Sequence, residues 1–217
     1  MTEISGSHKP QGGLDFEPTL DAPSQDESQD SMLFTTAFAG FGVDADLLVP
    51  WEARAVEVGA HRLNGERGIA LMQSLWAKDK YMSYLDASAV KSLVQFFDFA
   101  IVATNRDIIR QDEYGNFMLV LLSGGIAVDR VQPWGEHLRL AETWPGEILG
   151  EMSLLDSGIR FSTCTTMGEC EMAILSAEGM DEMMTAAPTL AAKLIALLAR
   201  KLSLRLRVVS ARLSETK

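Results

Sequence analysis

Gly146-Glu147-Ile148-Leu149-Gly150-Glu151-Met152-Ser153-Leu154-Leu155-Asp156-Ser157-Gly158-Ile159-Arg160-Phe161-Ser162-Thr163 is the stretch that decides how the rest of the chain reads. A short strand ends at Gly150, where the absence of a side chain lets backbone come close to a ligand. One helical turn over residues 151–155 follows, and its first amides are unpaired donors suited to an anion. The loop through Gly158 then returns Arg160, a permanent cation able to give two hydrogen bonds to phosphate. A helix start and an arginine together make an anion site. Glu151 fits beside an anion only if it accepts a hydrogen bond from a hydroxyl, and a sugar hydroxyl next to a phosphate meets that need.

Outward from this segment the texture is β-type. Short apolar runs at Phe99–Thr104, Asp107–Arg110, Phe117–Leu122, Ile126–Val131, His137–Ala141, Ile148–Leu149, Ser162–Met167 and Glu171–Leu175 are separated by turn signals such as Gly124-Gly125 and Pro133-Trp134-Gly135. Evenly spaced short strands predict an α+β fold built on an antiparallel β-barrel or jelly roll rather than a parallel sheet. A shorter helix is predicted around Ala177–Ala186, and a long apolar one from Pro188 toward Arg212. Upstream, residues 32–95 read as helical. Pro50 suits a helix start, Trp51, Ala55, Val58 and Arg62 follow helical spacing, and Asn64-Gly65 is expected to end that helix. A second run covers Glu66 to about Trp76, and Asp86 is the expected N-cap of a third.

The chain has 217 residues, 47% hydrophobic and 23% charged, ordinary for a globular protein with a sizeable core. Its formal net charge of −11 disfavours non-specific nucleic-acid binding. Residues 1–31 hold one lysine against seven acids, are rich in Ser, Gln, Gly and Pro, and read as a disordered acidic tail. Residues 189–217 hold seven basic residues against Glu215. The expected division is a tail over 1–31, a helical N-terminal extension over 32–95 and a ligand-binding domain over 96–217, with its β-roll at 96–176 and C-terminal helices at 177–213. No stretch approaches the ~20 apolar residues of a membrane span, the N-terminus lacks a signal-peptide pattern, and a cytoplasmic, bacterial-type protein without membrane insertion is expected. His8, His61 and His137 are scattered, Cys164 and Cys170 complete no ligand set, and no Ser/His/Asp set is recognisable. Neither a metal site nor an enzyme is expected.

The run Gly150-Glu151-Met152-Ser153-Leu154-Leu155, with Arg160-Phe161-Ser162-Thr163 behind it, resembles the phosphate-binding cassette of cyclic nucleotide-binding domains, the family of the bacterial catabolite activator and the regulatory subunit of cAMP-dependent kinase. Ile109 through Gly124 is similar to that family's strand–turn–strand ending in Ser-Gly, and Pro188 with Ala199-Arg200-Lys201-Leu202 resembles its C-terminal helix. The resemblance spans about residues 83–212. It implies that Glu151 accepts from the ribose 2′-hydroxyl and that Arg160 pairs with the cyclic phosphate. Amides near Met152, Ser153 and Phe161 would assist, Ser162 would lie beside them, and Gly150 would permit the approach. Alternatively, Glu151 and Arg160 form a plain ion pair in a domain that has lost its ligand.

Departures from the family pattern leave the ligand open. Phe161 stands where the family has a small residue, and Asp112 and Arg106 replace turn glycines, which suggests altered loop geometry. Arg205 and Leu206 occupy places where the bacterial activator has hydroxyl residues for adenine. Arg205 is either a contact to base or phosphate or a solvated helix charge. The resemblance implies a non-enzymatic sensor of cAMP, with cGMP as the other mononucleotide. Such a sensor would need no cofactor, and would signal through an unknown protein effector or a homodimer formed by the C-terminal helix. A c-di-GMP sensor and a ligand-free scaffold are the alternatives. The segment after Val208 is too short for a helix-turn-helix, so direct DNA binding by this chain is not expected.

Overall fold

A computed structural model describes residues 32–79 and 85–215. The acidic segment 1–31 and His8 lie outside the described residues. Helices α1 (Leu33–Gly40), α2 (Trp51–Val58), α3 (Gly65–Trp76) and α4 (Ala87–Leu93) precede the roll, with the two-residue strand β1 (His61–Arg62) between α2 and α3. The roll comprises β2 (Asp98–Val102), β3 (Asp107–Ile109), β4 (Phe117–Ser123), β5 (Ile126–Val131), β6 (His137–Thr143), β7 (Ile148–Leu149), β8 (Thr163–Thr166) and β9 (Cys170–Ser176), with α5 (Glu151–Asp156) between β7 and β8. Helices α6 (Ala177–Ala186) and α7 (Pro188–Glu215) follow.

The strands form two antiparallel sheets, β1-β2-β9-β4-β7 and β3-β8-β5-β6, so the roll is jelly-roll-like rather than a closed barrel. Strand β4 separates two cores. Phe117, Leu119 and Leu121 point between the sheets, while Met118, Val120 and Leu122 face the helices, because successive side chains of a strand alternate faces. The helical side packs Trp76, Leu93, Met180, Leu194 and Leu198 onto the first sheet.

The N-terminal helices differ from their predicted boundaries. Helix α2 stops at Val58 because Gly59 takes the left-handed conformation (φ 65°), and Arg62 lies in β1, paired with Ala100. Asn64-Gly65 begins a helix instead of ending one. The Asn64 side chain accepts from Arg67 N at 3.1 Å and caps α3. A short polar residue before glycine serves either end, and the neighbouring strand decided which. Asp86 caps α4 as expected, accepting from Ala89 N at 2.7 Å. Asp112 adopts φ 66°, so the turn keeps a glycine-type backbone although glycine is absent.

Candidate functional site

Strand β7 stops at Gly150 because its left-handed backbone (φ 77°) turns the chain into α5. The position is also crowded. A Cβ there would lie 2.7 Å from Arg160 Nη1 and 3.1 Å from the Phe117 carbonyl oxygen. The close approach that glycine permits is thus made by the chain's own arginine. Arg160 is 3% exposed. Its Nη1 donates to the Gly150 carbonyl at 2.8 Å, its Nη2 donates to the Phe117 carbonyl at 2.7 Å, and its guanidinium lies 4.6 Å above the Phe117 ring. Burial pushes its pKa down to about 10, which still leaves a cation at neutral pH. Among the described residues no carboxylate forms an ion pair with it, so the alternative of a plain Glu151–Arg160 pair is not what the fold builds.

Glu151 is held elsewhere. Arg205 of α7 gives Nη1 to the Glu151 carboxylate and Nη2 to the Ile148 carbonyl at 2.8 Å, with Glu147 3.7 Å away. Glu151 is 3% exposed, and burial raises its pKa while the Arg205 charge lowers it, burial prevailing. Arg205 is therefore an ion-paired helix charge, though its side chain is still 42% exposed. It bonds the one carboxylate expected to meet a sugar.

The remaining expected residues divide. Ser153 is buried and Ser162 half-buried, whereas Met152 and Phe161 are exposed. Arg130 donates to the Phe161 carbonyl and lies 4.1 Å over its ring, so the bulky side chain that replaces a small residue is stacked on the roll's surface. Cys164 and Cys170 are buried free thiols, and burial pushes Cys164 up to about 12, consistent with core packing rather than ligation. Among the described residues no group of His, Cys, Asp and Glu is arranged to hold a metal ion. An open groove of about 380 Å³ between α2 and β1–β2 contains none of the cassette residues.

The surroundings of Arg160 include residues that spacing did not indicate. Trp51 meets Phe117 edge-on with centroids 5.5 Å apart, and Arg54, 1% exposed, pairs with Glu57 and Glu113. These lie on α2, some sixty positions before the turn they touch. Trp51 and Pro50 marked a helix start in the sequence, but nothing there connected that helix to Arg160.

The fold agrees with that of known proteins. Residues 101–187 match the family model of the cyclic nucleotide-binding domain. The cyclic AMP receptor protein of Thermus thermophilus is 31% identical over 109 residues, 50% of each chain. A crystal structure of the Thermus thermophilus catabolite activator protein superposes with a TM-score of 0.52 at 29% identity, covering 61% of this chain and 63% of that one. A cyclic nucleotide-binding domain from Methylobacillus flagellatus shares the fold, with a TM-score of 0.66 at 20% identity over 73% of this chain and 89% of its own. The chain spans about half the length of the curated relatives it matches. Among the described residues no helix is long and apolar enough to cross a membrane.

Proposed function

We propose that the chain is a non-enzymatic sensor of a cyclic mononucleotide, cAMP first, with residues 96–217 as the binding unit. The observation that carries this reading is Arg160: a buried cation with carbonyl partners but no ion-paired carboxylate among the described residues. Burying a charge costs several kcal/mol unless an opposite charge compensates it, and a cyclic phosphate supplies that charge without a second titration near neutral pH. The Thermus and Mycobacterium relatives, named as a cyclic AMP receptor and a cAMP-activated regulator, point to the same ligand.

The ribose hydroxyl then takes Glu151, which Arg205 now holds. Exchange of Arg205 for the sugar changes what anchors α7, and this couples occupancy to the helix. A ligand shifts such an equilibrium only by its differential affinity for the two arrangements. Freed Arg205 is available to a purine edge or a second phosphate, which keeps c-di-GMP as the second reading. Signalling is assigned to a homodimer through α7 or to a protein effector, in the cytoplasm.

The test is a thermal-shift and calorimetry panel with cAMP, cGMP and c-di-GMP. Ligand at 100 times its Kd should stabilise the wild type by about 2.7 kcal/mol. Arg160→Ala should weaken binding by roughly 30-fold to several-thousand-fold, and Glu151→Ala should weaken it less. Flat melting curves with every nucleotide would refute the sensor and favour a scaffold.

A further inference from the structure

We infer that Trp51 and Arg54 of α2 are positioning residues for Arg160, so that the segment before the roll sets the affinity of the nucleotide site. The inference rests on the reading of Arg160 as the phosphate-binding group. Three stretches of backbone lie side by side behind the cassette. Val49 N donates to the Tyr114 carbonyl at 2.9 Å, and Leu48 bridges Tyr114 from the N-terminal side. Tyr114 also bridges Ile159. Arg160 N donates to the Glu113 carbonyl at 2.7 Å, and Asp112 N donates to the Arg160 carbonyl at 2.9 Å. The turn over residues 112–114 is thus the middle layer between the N-terminal segment and the cassette arginine.

Helix α2 grips that middle layer twice. Arg54 gives one Nη to Glu57 Oε2 at 2.6 Å and the other to the Glu113 carboxylate. Trp51, 6% exposed, presses edge-on against Phe117, whose ring and carbonyl together carry the Arg160 guanidinium. Both the backbone and the head group of Arg160 therefore rest on groups that α2 holds. Behind the arginine there is little slack. Arg54, Glu113, Gly115, Phe117 and Arg160 line a cleft with no room for a water molecule, and a Cβ on Gly115 would fall 2.7 Å from Arg160 Nε. The buried Arg54 Nε has no hydrogen-bond partner among the described residues and borders the same region as a second positive group. A guanidinium held by two carbonyls and a ring face gives two bonds to a phosphate only in one orientation, and a displacement of about 1 Å is enough to lose it. Loosening α2 therefore acts on the ligand site without touching ligand.

The experiment uses the full chain and two readouts. The first is the Arg160 Nε–H resonance in ¹⁵N NMR without ligand, assigned by its loss in Arg160→Lys. The second is the Kd of a fluorescent cAMP analogue, with unlabelled cGMP in parallel. Arg54→Gln and Trp51→Leu should shift the resonance, speed its exchange with water and weaken binding about tenfold or more. Arg54→Lys should restore part of both. Arg67→Gln, which loosens α3 at the end of the β4–β9 pair opposite Phe117, serves as a control for general destabilisation and should leave the Arg160 resonance in place. Should Arg54→Gln fail to fold, Glu113→Gln removes the same contact from the other side and carries the test. An unchanged resonance and unchanged affinity in folded variants would overturn the inference. If no nucleotide binds the wild type, the sensor reading falls, while the resonance still decides whether α2 positions Arg160.

Discussion

Arg160 and Glu151 stand nine positions apart in one cassette, yet the fold gives them different partners: backbone carbonyls for one, and a guanidinium from the C-terminal helix for the other. A carbonyl lone pair satisfies an N–H without neutralising a charge, so Arg160 remains a buried cation suited to an incoming anion. Gly150 makes this arrangement possible. Gly150→Ala would place an L side chain at φ 77° and 2.7 Å from Arg160 Nη1. The variant should lose about 1–3 kcal/mol in denaturant unfolding, and its nucleotide affinity should fall with it. A variant of wild-type stability and affinity would show that the arginine does not need that space.

At the scale of elements, the helices before the roll are tied to it by charged side chains rather than by apolar contact alone. Asp181 of α6 accepts from Phe34 N at 2.8 Å, Thr35 N at 2.9 Å and Thr35 Oγ1 at 2.7 Å, which closes the open N-terminus of α1 from another element. Arg67 of α3 gives Nε to Glu171 Oε1 of β9 at 2.5 Å, and Ser123 Oγ donates to Glu171 Oε2 at 2.8 Å. The Arg67 hydrogen bond holds the Glu171 carboxyl below its ordinary range, burial opposing it. A carboxyl whose folded pKa is depressed contributes stability above its unfolded pKa and loses it as pH falls through the folded one. The melting temperature of the wild type should therefore fall from about pH 5 downward more steeply than that of Glu171→Gln. Parallel acid limbs for the two proteins would contradict this. Element types were legible in the sequence because period-2 runs bounded by Gly, Pro and Asn identify strands without reference to the fold. Strand β1 was not legible. Two residues carry no period, and His61–Arg62 is a strand only because β2 offers it an edge.

For the whole molecule, α7 is the element with two environments. Leu190, Leu194, Leu197 and Leu198 are buried against the first sheet, Lys201 Nζ reaches Asp79 at 2.8 Å, and Arg205 reaches the cassette. Beyond these contacts Leu206, Val209 and Leu213 are 66%, 52% and 70% exposed. With Leu202 they step by four, three and four residues, the seam spacing of a two-stranded coiled coil. Sedimentation equilibrium should give a concentration-dependent dimer, and Leu206→Glu with Val209→Glu should give a monomer. A concentration-independent monomer of the wild type would remove the α7 dimer from the proposed function.

Apart from β1 and the ends of the helices before the roll, the order of strands and helices and the cassette motif were readable along the chain, because each depends on residues close in sequence. The pairing of the charged side chains depended on long-range packing. Arg205 lies 54 residues beyond Glu151, and Arg54 lies 59 before Glu113. Neither separation leaves a periodic trace in the sequence. Only after two sheets have closed and α2 and α7 have settled against them is it decided which cation takes the carboxylate and which is left with carbonyls alone.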